Sequence, residues 1–323
     1  MCDISRGFPR IASDLMTYEV ALALLPVFFV LALGYGAGKA RLVDNQNVSG
    51  LNTLVMSFAL PISLFTSLAA SERGEILARW QLAAISAVVM GLVYAGTYLA
   101  QRRAYRLPDG ESAVQALSVA FPNCAAVGLP LVDSTLGPGA ALSVAAVLAI
   151  GSITLSPATL VILERQRQSH SGIGPVIGRA LAKPIVIGPV LGLAWSLLGI
   201  PVPHLLQVTL TAIGSITGGV ALFLTGLVLS AQAVEFTANA YLSTLVTDVA
   251  RPALAFLAIR LFGLDGEPAR ETLLLLAIPA GFFGLLLGIG YGVRSRLAGT
   301  TVLFSTVLSA ATLAVVIALL PRL

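Results

Sequence analysis

Apolar runs of about twenty residues recur along the chain, and nothing constrains its fold more, because about 20 such residues is the length a helix needs to cross a bilayer core. We place ten of them, at 19–38, 50–70, 80–100, 113–133, 139–163, 184–200, 204–230, 240–262, 271–291 and 298–320. The connections are short and polar and leave no room for a soluble domain. With 57% hydrophobic residues, 11% charged residues and a mean hydropathy of +0.93, a soluble globular domain is excluded. The expected fold class is therefore an all-α integral membrane protein with ten transmembrane helices.

The net charge of +4 sits in the connections, where it reports topology and marks no nucleic-acid surface. Counted in alternate connections, one side carries Arg6, Arg10, Arg73, Arg79, Arg260, Arg270 and Arg322. The other carries more: Lys39, Arg41, Arg102, Arg103, Arg106, Arg165, Arg167, Arg179, Lys183, Arg294 and Arg296. The second side is expected to be cytoplasmic, with both termini outside. The first run ends on Lys39 and Arg41 and is too long for a signal-peptide core, so it reads as a retained helix. Met16 precedes it and stands beside Met1 as an alternative start. The two cysteines, Cys2 and Cys124, have no C-x-x-C spacing and no metal-ligand neighbours, so no disulfide framework, metal site or cofactor is expected.

The longest connection, 164–183, divides the chain into five-span halves at 1–163 and 184–323, and the halves look like repeats. ALPISLFTSLAAS (Ala59 to Ser71) resembles GGVALFLTGLVLS (Gly218 to Ser230), and FPNCAAVGLPL in the fourth span has a counterpart in IPAGFFGLLLG in the ninth. A five-span repeat is odd, so its copy must be inverted. Inverted repeats with interrupted helices at matching places point to a secondary transporter with its site near the midplane.

The interruptions are chemical as well as geometric. Pro122 and Pro130 each remove a backbone donor and bracket Asn123 and Gly128 in the middle of a membrane span. Such a break exposes half-helix ends and free carbonyls that can hold an ion or polar solute in a cavity. Pro279 and Gly281 stand at the matching place in the ninth span. A proline kink in a membrane helix is more often a packing feature, but a buried Asn amide needs partners or costs about 1 to 3 kcal/mol. In the eighth span Asp248 and Arg251 share one helix face, and two readings stay open. Either they neutralise each other, or Arg251 binds an anionic substrate and Asp248 serves in coupling. Ser305, Thr306 and Ser309 in the last span line the same cavity or bond their own helix carbonyls. His170 and His204 form no H-E-x-x-H arrangement and paired intramembrane aspartates are lacking, so no enzyme is expected.

Six stretches taken together resemble the auxin efflux carrier family, which includes the plant PIN proteins and bacterial malonate and other carboxylate carriers. They are LPVFFVLALGYGAGKARLVD, LNTLVMSFALPISLF, FPNCAAVGLPLVDSTLG, LAKPIVIGPVLGLAW, ALFLTGLVLS and VLFSTVLSAATLAV. The resemblance implies two inverted five-helix repeats with broken, crossed helices 4 and 9, as in the bile-acid sodium symporter fold. It implies a scaffold of spans 1, 2, 6 and 7, a moving transport domain of spans 3–5 and 8–10, and a homodimer through the scaffold helices. It also places a functional Asn at position 123. Two departures stand out: Gly218 and Gly219 replace a usual proline in the seventh span, and IPAGFFG has no acidic or amide side chain, which argues against sodium coupling. PAGFFG looks most like the malonate carriers.

The expectation is a secondary active transporter of a small organic anion, a carboxylate such as malonate, in the bacterial cytoplasmic membrane. Elevator-like alternating access would bring the substrate to Asn123, Pro122, Gly128, Pro130, Pro279, Gly281, Arg251, Ser305 and Thr306, with protons as one candidate driving ion. The alternatives are a passive anion channel and a sodium symporter of the bile-acid type.

Overall fold

The computed structural model describes residues 25–136, 141–167, 173–231 and 234–323. The N-terminal tail with Cys2, Arg6, Arg10 and Met16, the start of the first span, and His170 lie outside the described residues, as do the side chains of Pro130 and Asp133. Every described element is helical, as the bilayer requires of a chain whose backbone groups must be satisfied within their own segment. In chain order the helices of eight residues or more are α1 (Leu25–Lys39), α2 (Ser49–Ala69), α3 (Trp80–Arg103), α4 (Asp109–Ala120), α5 (Leu129–Leu136), α6 (Ala141–Arg167), α7 (Ile173–Leu181), α8 (Pro184–Leu197), α9 (His204–Ser230), α10 (Ala238–Phe262), α11 (Glu267–Ala277), α12 (Phe283–Gly290) and α13 (Arg296–Leu319).

Six of these, α2, α3, α6, α9, α10 and α13, are long and apolar enough to cross a membrane alone, and α7 with α8 would make a seventh, bent by 65°. The other expected spans are shorter for visible reasons. The fourth and ninth are each divided, into α4 with α5 and α11 with α12, and α8 has 14 residues. The expected connection 164–183 is largely helical, because α6 runs on to Arg167 and the apolar IGPVIGRAL forms α7.

Prolines shape the long helices at particular places. Three π-helical turns, Leu54–Ala59, Cys124–Gly128 and Val246–Ala250, each stop one residue short of a proline: Pro61, Pro130 and Pro252. A proline cannot donate to the carbonyl four residues back and its ring crowds that carbonyl, so the preceding turn widens. Pro252 stands four residues after Asp248, and the wide turn therefore sits under the Asp248 and Arg251 pair.

The half-helices α4 and α11 occupy the centre. Both begin with acidic residues at a proline, Pro108 with Asp109 and Glu267 with Pro268, where carboxylates suit the positive end of a helix dipole. Both are buried along nearly their whole length, in the same core as Phe121, Phe282 and Phe283. The Phe121 and Phe283 rings pack with centroids 4.4 Å apart. Exposed Leu and Phe side chains such as Phe29, Leu92, Leu257 and Leu261 cover the outside, as befits a surface solvated by lipid.

Candidate functional site: the paired helix breaks

The chain leaves α4 at Phe121, which adopts an extended backbone, and leaves α11 at Ile278. The two unwound stretches pair: Pro122 and Ala280 form an isolated antiparallel bridge, and the Asn123 N–H donates to the Pro279 carbonyl at 2.9 Å. The Gly281 N–H donates to the Ser118 carbonyl at 3.0 Å. Gly281 is required by this approach, since a Cβ there would overlap the Phe121 carbonyl oxygen. Gly128 closes the π turn after the first break, and a Cβ there would press on Val144 and Cys124 at 3.1 and 3.2 Å.

Carbonyls freed by the breaks find one cation. Arg251 is fully buried, and its Nε donates to Leu276 O at 2.9 Å, its Nη1 to Val119 O at 2.7 Å, and its Nη2 to Ile278 O. A positive charge thus sits at the C-terminal ends of α4 and α11, where two helix dipoles converge negatively. Asp248 and Arg251 do not hydrogen bond each other among the described residues. Asp248 Oδ1 instead accepts from Ser305 Oγ at 2.6 Å, and Ser305 Oγ accepts from the Ala280 N–H at 2.8 Å. Asp248 Oδ2 is buried without a partner among the described residues. Thr306 donates to Val302 O and Ser309 to Thr306 O, both within α13.

Asn123 is 1% exposed, and neither its Oδ1 nor its Nδ2 has a partner among the described residues. One residue further on, Cys124 and Ala125 form part of the wall of a cavity of about 360 Å3. Its remaining walls come from α2 (Leu60, Ser63, Leu64, Ser67), with Ser71 beyond its end, from α6 (Leu142, Val144, Ala145, Leu148), and from α9 with the bend inside it (Gly214, Ser215, Thr217, Gly218). Arg251, Asp248, Ser305 and Thr306 are not part of that wall. The structure therefore gathers Pro122, Asn123, Pro279, Gly281, Arg251, Asp248 and Ser305 at the breaks, and only the first break reaches the cavity. Sequence reasoning missed the hydroxyls of the opposite wall. Their signal was present: Ser63, Ser67 and Ser71 recur every four residues, which puts them on one helix face.

The seam away from Ser71 is closed by polar contacts. Arg294, between α12 and α13, donates from Nη1 to Gln46 Oε1 at 3.2 Å and from Nη2 to Gln46 O. Glu164, near the end of α6, accepts from Tyr291 Oη at 2.6 Å and lies 3.3 Å from Lys183 Nζ and 3.6 Å from Arg179 Nε. Gln46 precedes α2 and Ser71, a residue of the cavity wall, follows it, so this closed seam lies about 30 Å from Ser71, at the opposite end of a helix long and apolar enough to cross a membrane.

A family model described as "Membrane transport protein" matches residues 19–317. The chain belongs to this family, that of the auxin efflux carriers. It is 28% identical over 293 residues to the transporter YfdV of Escherichia coli (strain K12), covering 88% of this chain and 92% of that one. It is also 28% identical over 308 residues to a "Putative malonate transporter" of Rhizobium meliloti (strain 1021), with 91% and 93% covered. A "Probable auxin efflux carrier component 5b" of Oryza sativa subsp. japonica is 23% identical over 346 residues, with 90% and 94% covered. This chain is a multi-pass membrane transporter and not an enzyme.

Proposed function

We propose that the chain is a secondary transporter of a small carboxylate in a bacterial cytoplasmic membrane, working by elevator-like alternating access. In this reading α1, α2, α8 and α9 form the scaffold, and α3–α6 with α10–α13 form the moving domain, the two five-span halves being inverted copies. The single observation that carries it is the one-sided cavity. Hydroxyl-bearing faces of α2 and α9 oppose the break at Cys124 and Ala125, while the other end of the seam is shut by Arg294 on Gln46 and by Lys183 and Arg179 on Glu164. Those closing contacts join elements of the two proposed domains, so they must break for the cavity to open on the other side. Asn123, without a partner among the described residues and next in the chain to the wall residue Cys124, is the group we assign to the substrate carboxylate, because its Nδ2 supplies donors and its own backbone is already held. The side of the 164–183 segment is assigned to the cytoplasm from the distribution of Lys and Arg.

Reconstituted protein tests this reading. A carrier shows saturable uptake of labelled malonate that is accelerated by unlabelled malonate on the far side, because the empty site must return. Single-channel currents in a planar bilayer with no counterflow would replace the carrier by a pore.

A further inference from the structure

The cavity wall is unusual for an anion site in the kind of polar group it offers. Among the described residues its polar side chains are Ser63, Ser67, Ser71, Ser215 and Thr217, with the Cys124 thiol as the one titratable group. Four of the five hydroxyls already spend their hydrogen on their own helix. Ser67 donates to Ser63 O at 2.9 Å, Ser71 to Ser67 O at 2.8 Å, Ser215 to Ala212 O at 3.1 Å and Thr217 to Gly214 O at 2.7 Å. A hydroxyl committed in this way keeps its lone pairs, so it faces the cavity as an acceptor. Donors are scarce: the Asn123 amide behind the wall and the Ser63 hydroxyl. Arg251, the buried cation at the breaks, is not part of this wall and has three of its donors bound to the carbonyls of Leu276, Val119 and Ile278.

One carboxylate fits such a wall, since an amide and a hydroxyl can satisfy it. A second negative charge would enter the membrane interior facing acceptor oxygens, with no cationic side chain in the wall among the described residues, and burying an unpaired carboxylate is among the costliest steps a protein can take. A protonated carboxyl fits where a carboxylate does not, because its O–H donates to a serine or threonine oxygen. From this complementarity we infer that the site takes its carboxylate substrate as a monoanion, and takes a dicarboxylate in its singly protonated form. The inference rests on the carboxylate reading above. It makes the apparent pH dependence of dicarboxylate binding a property of the substrate, with Cys124 at the wall and Asp248 and Arg251 behind the break as the protein groups to be set apart.

Dissociation constants of the purified full chain for malonate, monomethyl malonate and propionate, measured from about pH 5 to about pH 8, separate these origins. Malonate affinity is expected to fall about tenfold for each unit of pH above its second pKa, as the monoanion is depleted, while monomethyl malonate, a monoanion throughout, and propionate, a monoanion above about pH 6, hold steady there. Malonate binding that stays level across the range overturns the inference. So does a parallel loss of affinity for all three ligands, which would place the titrating group on the protein. Absence of binding by any of the three at any pH is a different failure: it removes the carboxylate reading, and this inference with it.

Discussion

The two helix breaks are counterparts in sequence and opposites in chemistry. At the first, Phe121 to Asn123, a polar side chain is left without a partner among the described residues, and the chain then runs through a wide π turn that lines a cavity. At the second, Ile278 to Phe282, the side chains are apolar and buried, and the backbone is tied down from outside. Arg251 takes the Leu276 and Ile278 carbonyls, Ser305 takes the Ala280 N–H, and Ser118 O takes the Gly281 N–H. Of the two breaks, one thus presents a polar side chain and the other anchors it. The anchored break holds the exposed one directly, through the Pro122 and Ala280 bridge and the bond from Asn123 to Pro279.

The strongest test of the anchoring role is Arg251→Ala. It strips three buried carbonyls of their donor at once, and each unsatisfied buried group costs about 1 to 3 kcal/mol, so the folded protein should lose at least about 3 kcal/mol. Thermal unfolding in detergent reads this as a large fall in Tm or as failure to recover folded protein. Arg251→Lys, a point charge without the planar fork, should recover part of the loss. Adding Asp248→Ala to Arg251→Ala should restore nothing, because the arginine serves carbonyls and not the carboxylate. Recovery in the double variant would instead make the two an ion pair and remove the asymmetry between the breaks.

Gly281→Ala comes next. Its Cβ would meet the Phe121 carbonyl oxygen, backbone against backbone, so the two breaks must part; overpacking of this kind costs about 1 to 3 kcal/mol. Gly128→Ala meets side-chain atoms at looser distances, a Val144 methyl at 3.1 Å and the Cys124 Cβ at 3.2 Å, and should cost less, although it lies nearer the cavity. Equal losses in Tm for the two would mean that the crossing of the breaks is no tighter than ordinary helix packing.

Much of this was legible in the sequence. The expected bounds of the seventh span are those of α9, and those of the eighth and tenth spans differ from α10 and α13 by two residues or fewer, because long apolar runs leave little choice. FPNCAAVGLPL located the first break, since two prolines around an amide have few other uses in a membrane helix. Arg251 stood out as a buried charge, but its partners did not, because backbone carbonyls freed by a break carry no residue signature and the nearest carboxylate in sequence offers itself as the obvious mate. The hydroxyl wall was overlooked for a related reason. Serines that bond their own helix are ordinary in membrane spans, and only the opposing break gives the row from Ser63 to Ser71 a meaning.

Ser305→Ala probes the same anchored side at smaller scale. It unpairs the Ala280 N–H and leaves Asp248 Oδ1 beside an already unpartnered Oδ2, for a cost of about 1 to 2 kcal/mol. The variant should lower Tm while leaving substrate affinity near its original value, because Ser305 is not part of the cavity wall. A loss of affinity with Tm unchanged would move the binding site to the second break.

Asn123→Ala should have the smallest effect on the fold and the most specific effect on function. The amide makes no hydrogen bond among the described residues, so its removal deletes two buried polar atoms that contribute nothing to stability, and Tm in the absence of ligand should hold or rise slightly. The backbone bond from Asn123 to Pro279 does not depend on the side chain and keeps the breaks paired. What should vanish is the stabilisation produced by ligand: bound substrate raises Tm by mass action in the native chain, and a variant that cannot hold the carboxylate shows no such rise at the same ligand concentration. Asn123→Asp sharpens the comparison, because it keeps the shape, replaces donors by a negative charge and should repel the anion more strongly than alanine does. An alanine variant that unfolds early would make Asn123 part of the anchoring, and one that binds substrate normally would leave the first break as mechanically passive as the second.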